Sequence, residues 1–174
     1  LEADDLLASG AKHLSYEGNK VFNVTLDKDV DQTVTESVTK FMPGISGRED
    51  KFVRLSDLKE SKFGFHGRAL IDYQTLVGDK VDDIPSILGP AKAISLLKNY
   101  KSLTQYFKTE EGLKFWYRNQ EELTRNQILV RLRTDGWAPS LDSLRIRPKE
   151  GASVYAPKAW HDLIGFLDVT SKRK

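Results

Sequence analysis

Hydrophobic and polar positions follow two different periods in the first third of the chain. Apolar residues recur at helical spacing over residues 3–17 and predict an amphipathic helix, which Gly18 ends. Residues 21–26 form a short run rich in β-branched and aromatic side chains, which is the pattern of a buried parallel strand. Two further strands are predicted at residues 37–42 and 52–55. This order predicts an open α/β sheet, in which functional groups lie beyond the carboxyl ends of the strands.

The rest of the chain is dominated by helical periodicity. Pro85 ends one helical stretch because proline cannot continue a helix, and Pro90 suits the first turn of the next one. Beyond residue 134 the pattern predicts only a short strand at 144–146 and a helix from 157 to about 167. The helical patterns before that point cover residues 57–63, 68–77, 91–100, 102–107 and 121–132.

Composition indicates a globular chain with no special covalent chemistry. Of its 174 residues, 39% are hydrophobic and 30% are charged, which is a globular rather than a disordered balance. No apolar run approaches the roughly 18 residues that span a bilayer, so no membrane partner is expected. The absence of cysteine excludes disulfides and thiolate metal sites, and it fits a reducing, intracellular compartment.

Charge is distributed unevenly although the formal net charge is only +2. Acidic residues cluster at 2–5, 27–31 and 79–83, whereas basic residues dominate 118–147 and the tail 171–174. Separate acidic and basic surfaces suit a protein that holds cations in one place and follows phosphates in another. Charge alone leaves open the alternative of a patchwork of solvated side chains.

The carboxylates stand at predicted element boundaries, where an α/β fold places its site. Hard divalent cations take oxygen ligands, and a pair of them about 3.5–4 Å apart can hydrolyse a phosphodiester. Each group taken alone has another explanation, because acids also favour helix starts, turns and caps. The three groups are Glu2, Asp4 and Asp5 in the first helix, Asp27 and Asp29 after the first strand, and Asp79 and Asp82 after the helix that ends at Val77.

Five segments of the chain resemble, in order, those of a known enzyme family. Residues 1–8 look like the E-A-D-D segment of the 5′-nuclease domains of bacterial DNA polymerases and of phage flap endonucleases. Residues 24–29 are similar to that family's T-G-D-K-D segment, and residues 78–85 to its G-D-x-x-D-N-I-P segment. Residues 89–100 resemble the opening of its helix–three-turn–helix element, and residues 125–130 resemble the phage R-N-x-I-L-V stretch. The resemblance is good to residue 107 and thinner to 134.

The resemblance implies the C-terminal part of a structure-selective 5′-nuclease, an enzyme of DNA replication and repair. Its fold would be part of a PIN-like parallel sheet over residues 1–67, followed by a helix–three-turn–helix DNA-binding region over 68–134. Residues 135–174 would be an unassigned C-terminal extension. The implied activity is 5′→3′ exonuclease or flap endonuclease cleavage of DNA, or of RNA–DNA near a 5′ end.

The resemblance also implies the metal centre. The family uses two Mg²⁺ or Mn²⁺ ions and further aspartates from strands upstream of the E-A-D-D segment, together with a basic arch. Those parts are not in this chain, so we expect a missing N-terminal part of the same protein or a partner chain to complete the site. Asp27 and Asp79 would be catalytic, and the implied metal carboxylates are Glu2, Asp4, Asp5, Asp27, Asp29, Asp79 and Asp82.

A duplex-phosphate contact is the last feature that the resemblance implies. In relatives it lies at a glycine-rich hairpin, in some with a monovalent cation such as K⁺. Here the stretch after Pro85 is shorter and poorer in glycine, Leu26 replaces a usual Gly, and Asp83 a usual Asn. A catalytically incomplete module that binds nucleic acid, or a structural subunit, is therefore the alternative to an enzyme. The implied contact residues are Lys80, Leu88, Gly89, Ala91, Lys92 and Lys98.

Overall fold

A small sheet and a layer of helices make up the part of the chain that the computed structural model describes, which is residues 2–44, 47–61 and 63–134. The α/β class expected from the sequence is confirmed. The strand expected at 144–146 and the helix expected at 157–167 lie outside the described residues. The elements are α1 (Ala3–Tyr16), β1 (Val21–Val24), a 3₁₀ helix (Asp29–Thr33), β2 (Val38–Met42), β3 (Lys51–Val53), α2 (Leu55–Glu60), α3 (Gly67–Val77), α4 (Pro90–Tyr100), α5 (Leu103–Tyr106) and α6 (Glu110–Val130).

The sheet has the order β1-β2-β3 and combines both strand orientations. β1 runs parallel to β2, with Val21 opposite Val38, whereas β2 runs antiparallel to β3, with Phe41 opposite Phe52. Connection length explains the difference, because parallel neighbours need a long crossover and antiparallel ones only a short return. The 3₁₀ helix lies in the crossover from β1 to β2, whereas β3 begins at Lys51, soon after β2 ends at Met42. The expected parallel sheet therefore consists of β1 and β2, with β3 as an antiparallel edge.

The helical part packs α3 against both α4 and α6 around a leucine core. Leu76, Leu97 and Leu123 are buried at its centre. Asn126 on α6 is fully buried, and its side-chain amide donates to the carbonyl of Thr75 at 3.1 Å. A second bond from the same amide, to the carbonyl of Pro85 at 2.8 Å, fixes α6 against the segment that follows α3.

Helix α6 consists of two helical segments joined at a kink at Asn119, whose φ of −127° and ψ of 15° are not helical. The second segment contains most of the helix expected at 121–132, whereas the first, which begins at Glu110, is not indicated by the sequence pattern. Thr109 caps the first segment by accepting the amide of Gly112 at 3.0 Å. Gly112 weakens the helical pattern, yet the packing requires it, since an added Cβ would lie 1.9 Å from the carbonyl oxygen of Tyr106. Among the described residues, no helix is both long enough and apolar enough to cross a membrane.

Candidate metal centre

The segment after β1 turns sharply and presents two aspartates. The hydroxyl of Thr25 accepts the backbone amide of Asp27 at 3.1 Å. The Asp27 carboxylate in turn accepts the amide of Asp29 at 2.7 Å, which starts the 3₁₀ helix. Such side-chain-to-backbone bonds are the reason aspartate favours turns. Asp27 and Asp29 are therefore fixed at the carboxyl end of β1, where a site is expected in an α/β sheet.

The segment after α3 is a closed loop that presents Asp79 and Asp82. Asp79 and Ile84 exchange backbone hydrogen bonds of 2.9 and 2.7 Å, and these close the loop at its base. Gly78 enters the loop with a φ of +67°, and an added Cβ there would lie 2.3 Å from the carbonyl oxygen of Ile84. Glycine is required at this position for both reasons. The Asp79 carboxylate accepts the amide of Val81 at 2.8 Å, so its direction is set within the loop.

These two segments bring three of the expected carboxylates together. One oxygen from each of Asp29, Asp79 and Asp82 lies within 4.8 Å of the other two. Ligands on opposite sides of a Mg²⁺ ion stand about 4.2 Å apart, since each bond is roughly 2.1 Å long. The cluster therefore has the size of a single coordination sphere, and its donors are the hard oxygens that Mg²⁺ and Mn²⁺ prefer. The residues present fit a divalent cation.

Burial and neighbouring negative charges both affect the ionisation of Asp29. Partial burial, followed by the negative charge of Asp27, raises the pKa of Asp29 above its ordinary value. The charge of Lys28 and a hydrogen bond from Gln74 act in the opposite direction, while Asp79 adds to the increase. The negative charges of Asp27 and Asp79 thus disfavour the ionised form of Asp29, and a bound cation would relieve that repulsion.

Lys28 stands between Asp27 and Asp29 in the sequence, and its side chain pairs with the Asp79 carboxylate. This pairing lowers the pKa of Asp79, mainly through the hydrogen bond from Lys28, and raises the pKa of Lys28. The Lys28 side chain is 65% exposed, whereas that of Asp79 is 13% exposed. The ammonium group therefore approaches the cluster from solvent and neutralises part of its charge.

The start of α1 contributes its carboxylates in different ways. Burial and the negative charge of Asp27 raise the pKa of Asp4, so Asp4 lies near the acidic group at the end of β1. Both carboxylate oxygens of Asp5 instead accept hydrogen bonds from backbone amides. The donors are the amide of Glu2 at 3.2 Å and the amide of Arg133 at 2.7 Å. These bonds, the one from Arg133 first, lower the pKa of Asp5. Glu2 is exposed at the beginning of the helix.

Three supporting residues around this centre are not apparent from the sequence. Lys40 on β2 has a 2% exposed side chain, and its ammonium donates to the backbone carbonyl of Asp27 at 3.0 Å while pairing with Asp31. Gln32 and Gln74 are the other two, and they form hydrogen bonds close to Asp29. A lysine in a strand usually indicates a solvent face. The available signal for Lys40 is its position in β2, a strand in which Val38, Phe41 and Met42 are apolar.

The residues expected to contact nucleic acid lie around the start of α4. Leu88 directs its amide inward, to the carbonyl of Leu76 at 2.9 Å, so this N–H group is already used. Gly89 is the N-cap of α4, and Ala91 and Lys92 belong to its first turn, whose amides have no partners within a helix. Three lysines in this region have exposed side chains, namely Lys80, Lys92 and Lys98.

Comparison with curated proteins finds two kinds of relative. The chain is 38% identical over 138 residues to a 5′-3′ exonuclease of Aquifex aeolicus, a match that covers 77% of this chain and 46% of the relative. It is 34% identical over 177 residues to DNA polymerase I of Rhizobium leguminosarum, covering 95% of this chain and 16% of the polymerase. The chain thus spans less than half the length of these relatives. No family model matches the chain.

Solved structures with a similar fold come from phage T5. A mutant of T5 5′-exonuclease matches with a TM-score of 0.62 and 22% identity, over 77% of this chain and 56% of the phage protein. T5 flap endonuclease in a complex with DNA and metal ions matches with the same TM-score and identity, over 51% of its length. At this identity the likeness concerns the fold.

Proposed function

We propose, from the premise that this chain belongs to the 5′-nuclease family, that it supplies part of a divalent-metal site that hydrolyses DNA phosphodiesters at 5′ ends or flaps. The observation that carries the proposal is the convergence of Asp29, Asp79 and Asp82. Because the chain spans only part of its relatives, the substrate and partners of the whole protein belong to the proposal too. The identity of the metal as Mg²⁺ or Mn²⁺ and the number of ions are also part of the proposal.

In this proposal the carboxylates act at two distances from the metal. Asp29, Asp79 and Asp82 would hold it directly, because their oxygens lie within one coordination sphere. Asp27 and Asp4 would act through water or by their charge, given their electrostatic influence on the cluster. When bound, two such cations supply the positive charge that activates a water and stabilises the leaving oxygen. Asp5, whose oxygens accept backbone amides, would orient the start of α1.

The start of α4 is the proposed binding site for duplex DNA. The amides of its first turn and the helix dipole both favour an anion, and Lys92 adds a positive charge at the same place. Phosphate contacts carry no sequence information, so binding would depend on DNA structure rather than on base sequence. Because the Leu88 amide is directed inward, the backbone amides proposed to contact phosphate are those that follow Gly89.

The proposal is tested by cleavage of 5′-flap DNA by the full-length protein with Mg²⁺ or Mn²⁺, and with a chelator as the blank. We expect Asp79→Ala and Asp82→Asn to lower the cleavage rate at least about 100-fold, since loss of a ligand should exceed the effect of losing a residue that merely supports one. Asp83→Asn is the matched control, because Asp83 adjoins Asp82 but is outside the cluster that the described residues form. It should cleave at the rate of the unaltered protein.

Three outcomes would contradict the nuclease proposal in different ways. Full cleavage by Asp79→Ala would show that the metal centre is assigned to the wrong residues. Cleavage that persists in the chelator would exclude a metal-dependent mechanism. Flap DNA that is bound but left uncut with either metal would replace the enzyme with a nucleic-acid-binding role.

A further inference from the structure

Two glutamine side chains connect the end of α6 to the metal centre. The side-chain NH₂ group of Gln74 donates to the Asp29 carboxylate at 2.6 Å. The side-chain NH₂ group of Gln32 in turn donates to the side-chain oxygen of Gln74 at 3.0 Å. Gln32 also donates to the backbone carbonyl of Val130, the last residue of α6, at 2.7 Å. Its oxygen accepts the amide of Leu132 in a longer contact of 3.4 Å. The chain of bonds thus begins in the backbone after α6 and ends on a proposed metal ligand.

The chemistry of the groups fixes the direction of every bond in this chain. A carboxylate can only accept, so Gln74 must turn its NH₂ group toward Asp29. Its oxygen then faces Gln32, which must present its own NH₂ group. The remaining oxygen of Gln32 points toward the N–H of Leu132. Neither amide can flip without placing two donors or two acceptors against each other, so the arrangement defines one orientation for Asp29.

Gln74 is attached to the second loop of the site as well. Its backbone carbonyl accepts the amide of Gly78 at 2.8 Å, at the end of α3. Gly78 immediately precedes Asp79, so the backbone of Gln74 helps to set where the closed loop begins. Its side chain meanwhile holds Asp29, which belongs to the 3₁₀ helix after β1. One residue therefore contacts both segments whose carboxylates form the cluster.

We propose that Gln74 is a positioning residue for the metal centre. It holds Asp29 against repulsion from Asp27 and Asp79, and Gln32 keeps it in place from the end of α6. This inference rests on the proposed function, because it assigns Gln74 to that same site. Residues that hold metal ligands by hydrogen bonds commonly change metal affinity about 10–100-fold when removed.

The experiment measures Mn²⁺ binding by the full-length protein in calorimetric titrations that reach several millimolar metal. Gln74→Met keeps the length of the side chain but removes the donor, and we expect the dissociation constant to rise about 10-fold or more. Gln120→Met is the matched control, because Gln120 is an exposed glutamine on α6, away from the site. It should bind as the unaltered chain does. Thermal unfolding without metal should show folded protein for both variants.

A second variant separates positioning from general packing. Gln32→Met leaves Gln74 present but unsupported, and we expect a smaller loss of affinity, about threefold. The double variant should be no weaker than Gln74→Met alone, because both changes act through one chain of bonds. If Gln74→Met does not fold, the Gln32→Met titration carries the test by itself.

The outcomes distinguish failure of this inference from failure of the metal centre. Unaltered Mn²⁺ affinity in Gln74→Met, or in Gln32→Met where that variant carries the test, would overturn the positioning role while leaving the metal centre intact. Losses that add in the double variant would overturn the link through Gln32. If the unaltered full-length protein binds no Mn²⁺, the metal centre itself is overturned, and the inference with it.

Discussion

The ammonium group of Lys28 pairs with the carboxylate of Asp79 at the mouth of the acidic cluster. The two residues come from different segments, one after β1 and the other after α3, so the pair joins the two walls of the proposed site. A divalent cation that binds to Asp79 requires the same oxygen-rich space. Lys28 therefore neutralises part of the charge of the cluster, and under the proposed function it would compete with a metal ion for Asp79.

Replacing Lys28 by methionine should tighten metal binding. Removal of one positive charge about 4 Å from a divalent cation favours the bound state by about 2 kcal/mol at the dielectric constant of water, which is roughly a 30-fold lower dissociation constant. Mn²⁺ titration of Lys28→Met against the unaltered chain measures this change. Lys114→Met is the control, because Lys114 is 64% exposed and pairs with Glu110 on α6. Equal affinity in Lys28→Met would show that Lys28 does not compete with the metal, and weaker affinity would show that it assists metal binding.

The metal-free chain should become more stable at neutral pH when Asp29 is replaced by asparagine. The pKa of Asp29 is raised in the folded state above the ordinary value of 3.8, mainly by burial and by Asp27. A raised carboxyl pKa makes the unfolded state lose its proton first, so stability falls as the pH rises from 3.8 through the folded pKa. Asparagine is never ionised, and its oxygen can still accept the bond from Gln74.

The measurement is thermal unfolding in a chelator at several pH values. Asp29→Asn should melt higher than the unaltered chain at pH 7, and the difference should shrink toward pH 4 and vanish below it. A gain of about 1 kcal/mol would appear as roughly 2–4 °C. Asp50→Asn, which changes an exposed aspartate far along the chain, should show no such pH-dependent gain. A lower melting temperature for Asp29→Asn at pH 7 would mean that the ionised carboxylate stabilises the metal-free fold.

The sequence was informative where local chemistry decides the structure. Strand β1 ends within two residues of its expected boundary, and the aspartates that follow it form the turn that their side chains favour. Gly78 and Pro85 likewise indicate the loop that carries Asp79. The roles of Gln74 and Lys40 depend on contacts between distant segments, such as Lys40 with the carbonyl of Asp27. No local pattern distinguishes such a glutamine from an exposed one, and the one local signal for Lys40 is its place in a mainly apolar strand.

Asp5 should contribute to stability rather than bind metal, and its removal should reveal this. Its carboxylate accepts the amides of Glu2 and Arg133, so Asp5→Ala loses a helix cap and a tie between α1 and the segment after α6. We expect a loss of about 1–2 kcal/mol in the free energy of unfolding. Asp57→Ala is the matched control, because Asp57 caps α2 through the amide of Arg54 alone. The excess loss in Asp5→Ala measures the bond to Arg133.

The contribution of Asp5 to the free energy of unfolding depends on pH with the opposite sign to the contribution of Asp29. Because the hydrogen bond from Arg133, above all, lowers the pKa of Asp5 in the folded state, its stabilisation is complete above the unfolded value of 3.8. It disappears as the pH falls through the lower folded pKa. Denaturant unfolding at pH 7 and at pH 3 or below should therefore show a smaller difference between Asp5→Ala and the unaltered chain in acid. A constant difference would show that the loss does not depend on the charge of the Asp5 carboxylate.

The start of α4 should bind DNA through phosphates, and Lys92 is the residue that tests it. Lys92 combines a first-turn amide with an exposed ammonium group, whereas the nearby Leu88 amide is already bonded to Leu76. Lys92→Ala should therefore weaken binding to flap and duplex DNA of any sequence. It should also reduce the slope of log K against log salt by about 0.9, the value for one lost phosphate contact.

Binding is measured by fluorescence anisotropy between about 50 and 200 mM salt, a range in which phosphate contacts dominate the affinity. Lys114→Ala is the control, since Lys114 is exposed and paired with Glu110 on α6. A change of sequence preference in Lys92→Ala would indicate base contacts instead of phosphate contacts. An unchanged salt slope would exclude the α4 N-terminus from the DNA interface. The basic residues of α6 would then be the next candidates for phosphate contacts.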